Sequence, residues 1–141
     1  MRVEQLKEKG AIYFEKIQDG FEQYDYETKK FSAQEIEERF VKLWKEKENI
    51  EVFVDFYYFT IEEDARKKVD EYLSEDEKRY VNNQLRREQG IIFPAKEELI
   101  KIVAKLNEKE ILFSTLYITG DEKSTWWGNY GKEYVIFTEK V

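Results

Sequence analysis

The sequence predicts an α+β fold, in which a small, mainly antiparallel sheet carries helices packed mostly on one face. Three observations favour this class. The chain has 141 residues, of which 41% are hydrophobic and 16% aromatic, enough to bury one sizeable core. Its apolar residues recur at helical spacing in some stretches and at strand spacing in others. Six glycines and a single proline leave no linker-like stretch, so residues 1–141 are expected to form a single domain.

The expected order of elements is α-α-β-α-α-α-β-β, and the first helix is expected over about residues 3–18. Gly10 lies inside that helical pattern and weakens it. Residues 19–31 read as a connection, with a short strand around Tyr24 and Tyr26. The N-terminal part of the chain is therefore predicted to be a helix followed by an irregular segment.

A second helix is predicted to begin at Ser32. Its hydroxyl can accept a hydrogen bond from the first turn, while Glu35 can accept one from the Ser32 backbone, which is a capping box. Four apolar residues then follow at helical spacing: Ile36, Phe40, Leu43 and Trp44. This stripe predicts a helix that packs against a core.

Residues 50–59 are predicted to form the central strand, because β-branched and aromatic residues fill them. Alternate residues point to one face: Ile50, Val52, Val54, Phe56 and Tyr58. The opposite face is only half polar, with Glu51, Phe53, Asp55, Tyr57 and Phe59. The pattern predicts a strand covered fully on one face and partly on the other.

Three further helices are expected at residues 61–73, 75–89 and 95–108. The first two begin with further capping boxes, Thr60 with Glu63 and Ser74 with Glu77. Gly90 is expected to end the second of these helices, and Pro94 to begin the third.

A C-terminal hairpin completes the predicted fold. A strand over residues 111–119 runs into a polar turn at 120–124, and the chain returns over 125–138. Gly128 and Gly131 indicate a bulge or kink in the returning strand. The sheet is therefore expected to contain about three long strands.

The absence of cysteine and histidine excludes many kinds of chemistry. Disulfides, thiolate metal sites and a cysteine nucleophile all need cysteine. A Ser–His pair and a zinc site built on imidazole need histidine. We therefore expect no cofactor and no metal, and no catalytic residue is assigned.

Two acidic residues in the central strand are the remaining candidates for carboxylate chemistry. Glu51 and Asp55 point to the same side but lie about 13 Å apart, at ~3.3 Å per residue. That separation is too large for one acid–base pair or one metal ion, so each needs a carboxylate from another strand. A small carboxylate-based enzyme or small-molecule-binding domain therefore stays an alternative.

Charge and hydropathy predict the class of partner and the cellular location. The formal net charge is −7 and is spread along the chain, which disfavours nucleic acid and is typical of a solubilising surface. The N-terminus is charged and has no apolar signal region, and no stretch approaches the ~20 apolar residues of a membrane span. A cytoplasmic location without a membrane partner is the expectation.

Aromatic residues carry the main functional hypothesis. Trp126 and Trp127 are neighbours in a predicted strand, so they point to opposite faces, and one of them must meet solvent, a helix or a ligand. With Tyr130, Tyr57 and Asp55 they form a candidate contact surface, since Trp and Tyr are enriched where proteins bind. The alternatives are that the outer tryptophan covers a bulge or packs on the N-terminal segment, and that the N-terminal helix covers Tyr57.

The leading hypothesis is a non-catalytic binding protein of the inhibitor type, such as an immunity protein or a phage-encoded blocker of a host factor. It rests on small size, an acidic and aromatic-rich composition, and the missing cofactor motifs, as an analogy of class. The expected partner is another protein, and a basic one is favoured by the net charge. The remaining alternative is a structural subunit of a homo-oligomer that associates through its aromatic face.

Overall fold

Six strands in residues 1–88 and 90–141, the ranges that the computed structural model describes, form one antiparallel sheet. The strands are β1 (Asp25–Lys30), β2 (Val52–Asp55), β3 (Ile92–Pro94), β4 (Thr115–Ile118), β5 (Ser124–Gly128) and β6 (Glu133–Thr138). Their order across the sheet is β1-β6-β5-β4-β2-β3. The predicted α+β class with an antiparallel sheet is confirmed.

The strand count differs from the expected three for two reasons. The predicted returning strand at 125–138 is divided, because a turn at residues 129–132 separates β5 from β6. In addition, the two edge strands were not counted: β1, where only a short strand around Tyr24 and Tyr26 was expected, and β3, which is only three residues long. The strand predicted over 50–59 is also shorter, since the observed strand spans Val52–Asp55.

The helices are α1 (Val3–Glu8), α2 (Ile17–Gln23), α3 (Ala33–Glu46), α4 (Glu63–Asp70), α5 (Glu75–Asn83) and α6 (Glu97–Glu108). A short 3-10 turn follows α5 at Leu85–Arg87. The helix predicted over 3–18 is wrong beyond α1, because Gly10 adopts a left-handed φ of 89° that ends the helical path. The predicted end of the 75–89 helix lies outside the described residues, and α5 itself ends at Asn83.

Two of the three predicted capping boxes are confirmed. The Ser32 and Ser74 hydroxyls accept hydrogen bonds from the backbone N–H groups three residues on, each at 3.1 Å. The Thr60 box is wrong, because the Thr60 hydroxyl donates to the Tyr57 carbonyl at 2.9 Å and α4 begins only at Glu63. Pro94 ends β3 instead of starting a helix, and α6 begins at Glu97.

The sheet is covered on both faces, and the larger core lies beneath α3 to α6. The predicted alternation in the central strand is confirmed there, since Val52, Val54 and Phe56 are buried in that core. The opposite face is covered by the N-terminal segment, residues 1–24, whose Leu6 packs with Phe53 in a second, smaller core. This second layer determines where the candidate site lies.

A buried asparagine joins α6 to the sheet. Asn107 donates through Nδ2 to the Ser114 carbonyl at 3.3 Å and to the Tyr134 hydroxyl at 3.2 Å, and its Oδ1 accepts from the Ser114 N–H at 2.8 Å. A Cβ on Gly128 would lie 2.9 Å from the same Nδ2, so glycine is required for this close approach. The bonds fix the start of β4.

None of the helices in the two described ranges is both long enough and apolar enough to cross a membrane.

Candidate functional site

A small cavity lies between the sheet and the N-terminal segment, and we call it the Asp55 pocket. Its volume is about 150 Å³. The lining residues that matter for its chemistry are Tyr13, Phe14, Asp55, Tyr57, Tyr117 and Trp127. An engineered cavity of about this volume in another protein holds a benzene molecule. The pocket therefore has room for one small chemical group.

The carboxyl group of Asp55 is the polar centre of the pocket. Asp55 is the last residue of β2 and is only 8% exposed. Its Oδ1 accepts a hydrogen bond of 2.6 Å from the backbone N–H of Thr115, the first residue of β4. The Tyr57 hydroxyl lies 3.5 Å from Oδ2, at the limit of hydrogen bonding. Oδ1 is therefore firmly held, while Oδ2 keeps capacity to accept a further hydrogen bond.

Burial dominates the electrostatics of the pocket. It raises the pKa of Asp55 to about 6, against the opposing effect of the hydrogen bonds from Thr115 and Tyr57. Burial and the nearby Asp55 charge raise the pKa of Tyr57 to about 12, and they also raise the pKa of Tyr117. The tyrosines consequently stay neutral at physiological pH, while Asp55 is ionised at pH 7 but close to its titration point.

Aromatic rings from three parts of the chain surround this carboxyl group. Tyr13 comes from the N-terminal segment and Tyr117 from β4, and their rings stack with centroids 6.3 Å apart. Trp127 comes from β5, opposite Thr115, and so shares the sheet face of Asp55. Lys7 Nζ lies 5.4 Å from the Tyr13 ring centroid, so this ring already accepts an ammonium group of the chain itself.

The mouth of the pocket carries a second acid. Glu15 is exposed and lines the opening, and its charge contributes to the raised pKa of Tyr13, after the larger effect of burial. Among the residues that the structure describes, no group of three acids is arranged to hold a metal ion. Aromatic rings around one carboxylate instead form an environment that favours an organic cation.

The five residues predicted to form one contact surface are divided between separate places. Asp55, Tyr57 and Trp127 meet in the Asp55 pocket. Trp126 points to the opposite face of the sheet and is buried beneath α3, with its ring 5.4 Å from that of Phe40. Tyr130 is 68% exposed in the turn after β5, where its ring meets that of Phe113. Two of the five residues therefore lie outside the pocket.

Two residues that line the Asp55 pocket, Tyr13 and Tyr117, were not part of the predicted contact surface. Tyr117 could have been found from the alternation in β4, which places it on the same sheet face as Thr115. Tyr13 had no such signal, because it reaches the pocket through an irregular segment after Gly10. The alternative in which the N-terminal segment covers this face of the sheet matches the structure.

A larger cleft of about 590 Å³ lies on the helix side, between α3 and the turn from β4 to β5. Its apolar lining includes Phe40, Leu43 and Trp126. Lys47 and Glu122 also line the cleft and form an ion pair with each other. Charges of both signs are mixed along its rim. Size favours this cleft, whereas the Asp55 pocket contains a buried carboxyl group that is held by a backbone hydrogen bond and has a raised pKa, which makes it a candidate functional group.

Comparison of this chain with models of known protein families, with curated proteins and with solved structures finds no significant match.

Proposed function

We propose that this chain is a non-catalytic, cytoplasmic binding protein of the inhibitor type, which holds a basic protein partner by taking one of its cationic side chains into the Asp55 pocket. The observation that carries the proposal is the buried Asp55 carboxyl group surrounded by aromatic rings. The ligand group is the ammonium of a lysine or the guanidinium of an arginine.

A cation complements the pocket because the Asp55 carboxylate has lost most of its water. A buried charge without an opposite charge is unfavourable, and its raised pKa reflects that. A cation donating to Oδ2, which accepts only a long hydrogen bond from Tyr57, offsets this, and cation–π contacts with Tyr13, Tyr117 and Trp127 are worth about 2 kcal/mol once desolvated. Truncation of one member of such a pair in an interface costs about 2–5 kcal/mol.

A protein partner is favoured by charge and size together. The net charge of −7 attracts a basic surface over long range, and Glu15 places a further negative charge at the mouth. A pocket of about 150 Å³ admits the end of one side chain, so the rest of the contact lies on the surrounding surface. An inserted cationic anchor is typical of the few residues that dominate binding energy.

The proposal is tested first with arginine amide and lysine amide, titrated while the indole N–H signal of Trp127 is followed by NMR. We expect that signal to shift in the wild type and in Glu51→Gln, which removes one exposed carboxylate next to β2. We expect no shift in Asp55→Asn. Equal shifts in Asp55→Asn and wild type would contradict the proposal.

A pull-down from lysate of the native host then tests the partner. We expect a basic protein to be captured by the wild type and by Glu51→Gln and lost with Asp55→Asn. Capture that is unaffected by Asp55→Asn places the contact elsewhere and contradicts the role of the pocket.

An acid–base enzyme is a second candidate, favoured by one observation. A carboxyl group whose pKa is raised to about 6 is suited to proton transfer near neutral pH, and Glu15 supplies a second acid at the mouth. Recovery of a bound ligand chemically unchanged supports binding. Turnover that stops in Asp55→Asn supports the enzyme.

A further inference from the structure

The outer edge of β1 is open to another strand. β1 pairs with β6 along one side, and no strand in residues 1–88 or 90–141 pairs along the other. All of its residues, Asp25–Lys30, are exposed. A strand edge of this kind presents backbone N–H and C=O groups that can extend the sheet with another chain.

The direction of these backbone groups follows from one hydrogen bond. The Phe31 N–H donates to the Lys132 carbonyl at 2.9 Å, so the backbone N–H and C=O groups of Phe31 point toward the β6 side. Directions alternate along an antiparallel strand, and the register of β1 with β6 runs without a break. The backbone groups of Tyr26, Thr28 and Lys30 therefore face outward.

We propose that a second copy of this chain occupies this edge, with the two β1 strands antiparallel and Thr28 on the two-fold axis. In this register Tyr26 lies opposite Lys30 of the second copy, and Glu27 lies opposite Lys29. The outward-facing residues pair with each other, which allows about six hydrogen bonds between the chains. The two sheets become one continuous sheet.

The order of charges in β1 selects both the occupant and the register. Only residues whose backbone groups face outward can form hydrogen bonds across the seam, so they must lie opposite one another. The next possible registers therefore differ from the Thr28-centred one by a shift of two residues. One shift places Glu27 opposite Glu27 of the second copy, and the other places Lys29 opposite Lys29. Like charges directly opposite one another are destabilising, whereas the Thr28-centred register makes two Glu–Lys pairs.

Two further observations bear on this pairing. Within one chain Lys29 Nζ lies 3.4 Å from Glu27 Oε1, so the same two side chains can exchange this ion pair along the strand for the Glu–Lys pairs across the axis. Phe21 and Tyr26 are 38% and 55% exposed, and their rings contact each other with centroids 4.7 Å apart. This aromatic pair lies next to the seam and would be partly covered. The Asp55 pocket lies over β2, β4 and β5, away from the β1 edge, so this pairing leaves it open.

The test measures molecular mass by sedimentation equilibrium at low salt, at protein concentrations up to about 1 mM. We expect a dimer that dissociates on dilution and weakens with salt. Glu27→Lys and Lys29→Glu, each alone, are expected to weaken association about tenfold, because each places like charges across the seam. The control Glu46→Lys changes an exposed charge on α3 and should leave the mass unchanged.

The decisive variants restore the pairing. The double variant Glu27→Lys with Lys29→Glu exchanges the charges and is expected to dimerise like the wild type. A mixture of the two single variants is expected to form heterodimers. A monomer mass at all concentrations, a larger oligomer, or a dimer insensitive to the single variants would overturn the proposal, and circular dichroism verifies that each variant is folded.

Discussion

Replacing Asp55 with asparagine is expected to stabilise the protein above pH 6, although it removes the charge that the proposed function needs. Asparagine keeps an oxygen that can accept the Thr115 N–H hydrogen bond, and it is close to aspartate in size. It has no ionised form, so the unfavourable burial of a charge disappears. The variant thus separates the structural role of this side chain from its electrostatic role.

The magnitude follows from the two pKa values of Asp55. The folded protein raises the pKa to about 6 from the ordinary 3.8, a difference of about 2. Each unit corresponds to 1.36 kcal/mol, so ionisation lowers the free energy of unfolding by about 3 kcal/mol at most. Because the folded pKa is the higher one, the contribution of Asp55 to stability is fully present below about pH 4 and is lost as pH rises through 6.

Urea unfolding of the wild type and of Asp55→Asn at pH 4.5, 6 and 8, followed by tryptophan fluorescence, measures this difference. We expect a difference of at most about 1 kcal/mol at pH 4.5, where only the unfolded chain is largely ionised at this position, and a larger advantage of about 1–3 kcal/mol for the variant at pH 8. Other acids titrate equally in both proteins and cancel in the comparison. The control Glu51→Gln removes only an exposed ion pair with Lys9, so it should change stability by less than about 1 kcal/mol, equally at pH 6 and pH 8. A variant less stable than wild type at pH 8, or a difference independent of pH, would refute the reasoning.

Three further substitutions test the packing. Gly20→Ala places a Cβ 2.8–2.9 Å from two phenylalanine rings, so thermal melting should show a loss of about 1–3 kcal/mol; an unchanged melting temperature would mean that the N-terminal segment does not pack as described. Asn107→Leu leaves the buried Ser114 N–H without its acceptor, and urea unfolding should show a loss of about 2–3 kcal/mol, whereas a stable variant would contradict the network. Ser74→Ala should cost about 1 kcal/mol by the same measurement, and no change would argue against the capping box.

Local interactions explain which parts of the fold could be predicted. The Ser32 and Ser74 capping boxes join residues three apart, so both partners are visible in one short stretch of sequence. The alternation of Val52 and Val54 with Phe53 likewise reports the two faces of β2 directly. Thr60 matched the same pattern and failed, because its hydroxyl found a closer acceptor in the preceding turn.

Long-range pairing explains most of what could not be predicted. β1 is a polar strand with both faces exposed, so only a short strand around Tyr24 and Tyr26 was predicted near its start, and its partner β6 lies more than 100 residues further along the chain. The candidate site likewise depends on contacts between residues that are far apart in the sequence. Asp55, Tyr57 and Trp127 were chosen from their residue types, but their meeting with Tyr13 depends on how the N-terminal segment crosses the sheet.

The cover that residues 1–24 form over one face of the sheet also bears on how the protein folds during synthesis. On the ribosome, residues 1–24 emerge early, yet the sheet face that they cover includes strands formed more than 90 residues later. The contact from the Thr125 hydroxyl to the Ile12 carbonyl, at 2.7 Å, illustrates this delay. Contacts between distant parts of a chain form slowly, and the unpaired segment stays exposed meanwhile. The Asp55 pocket therefore forms only after Trp127 of β5 has been synthesised.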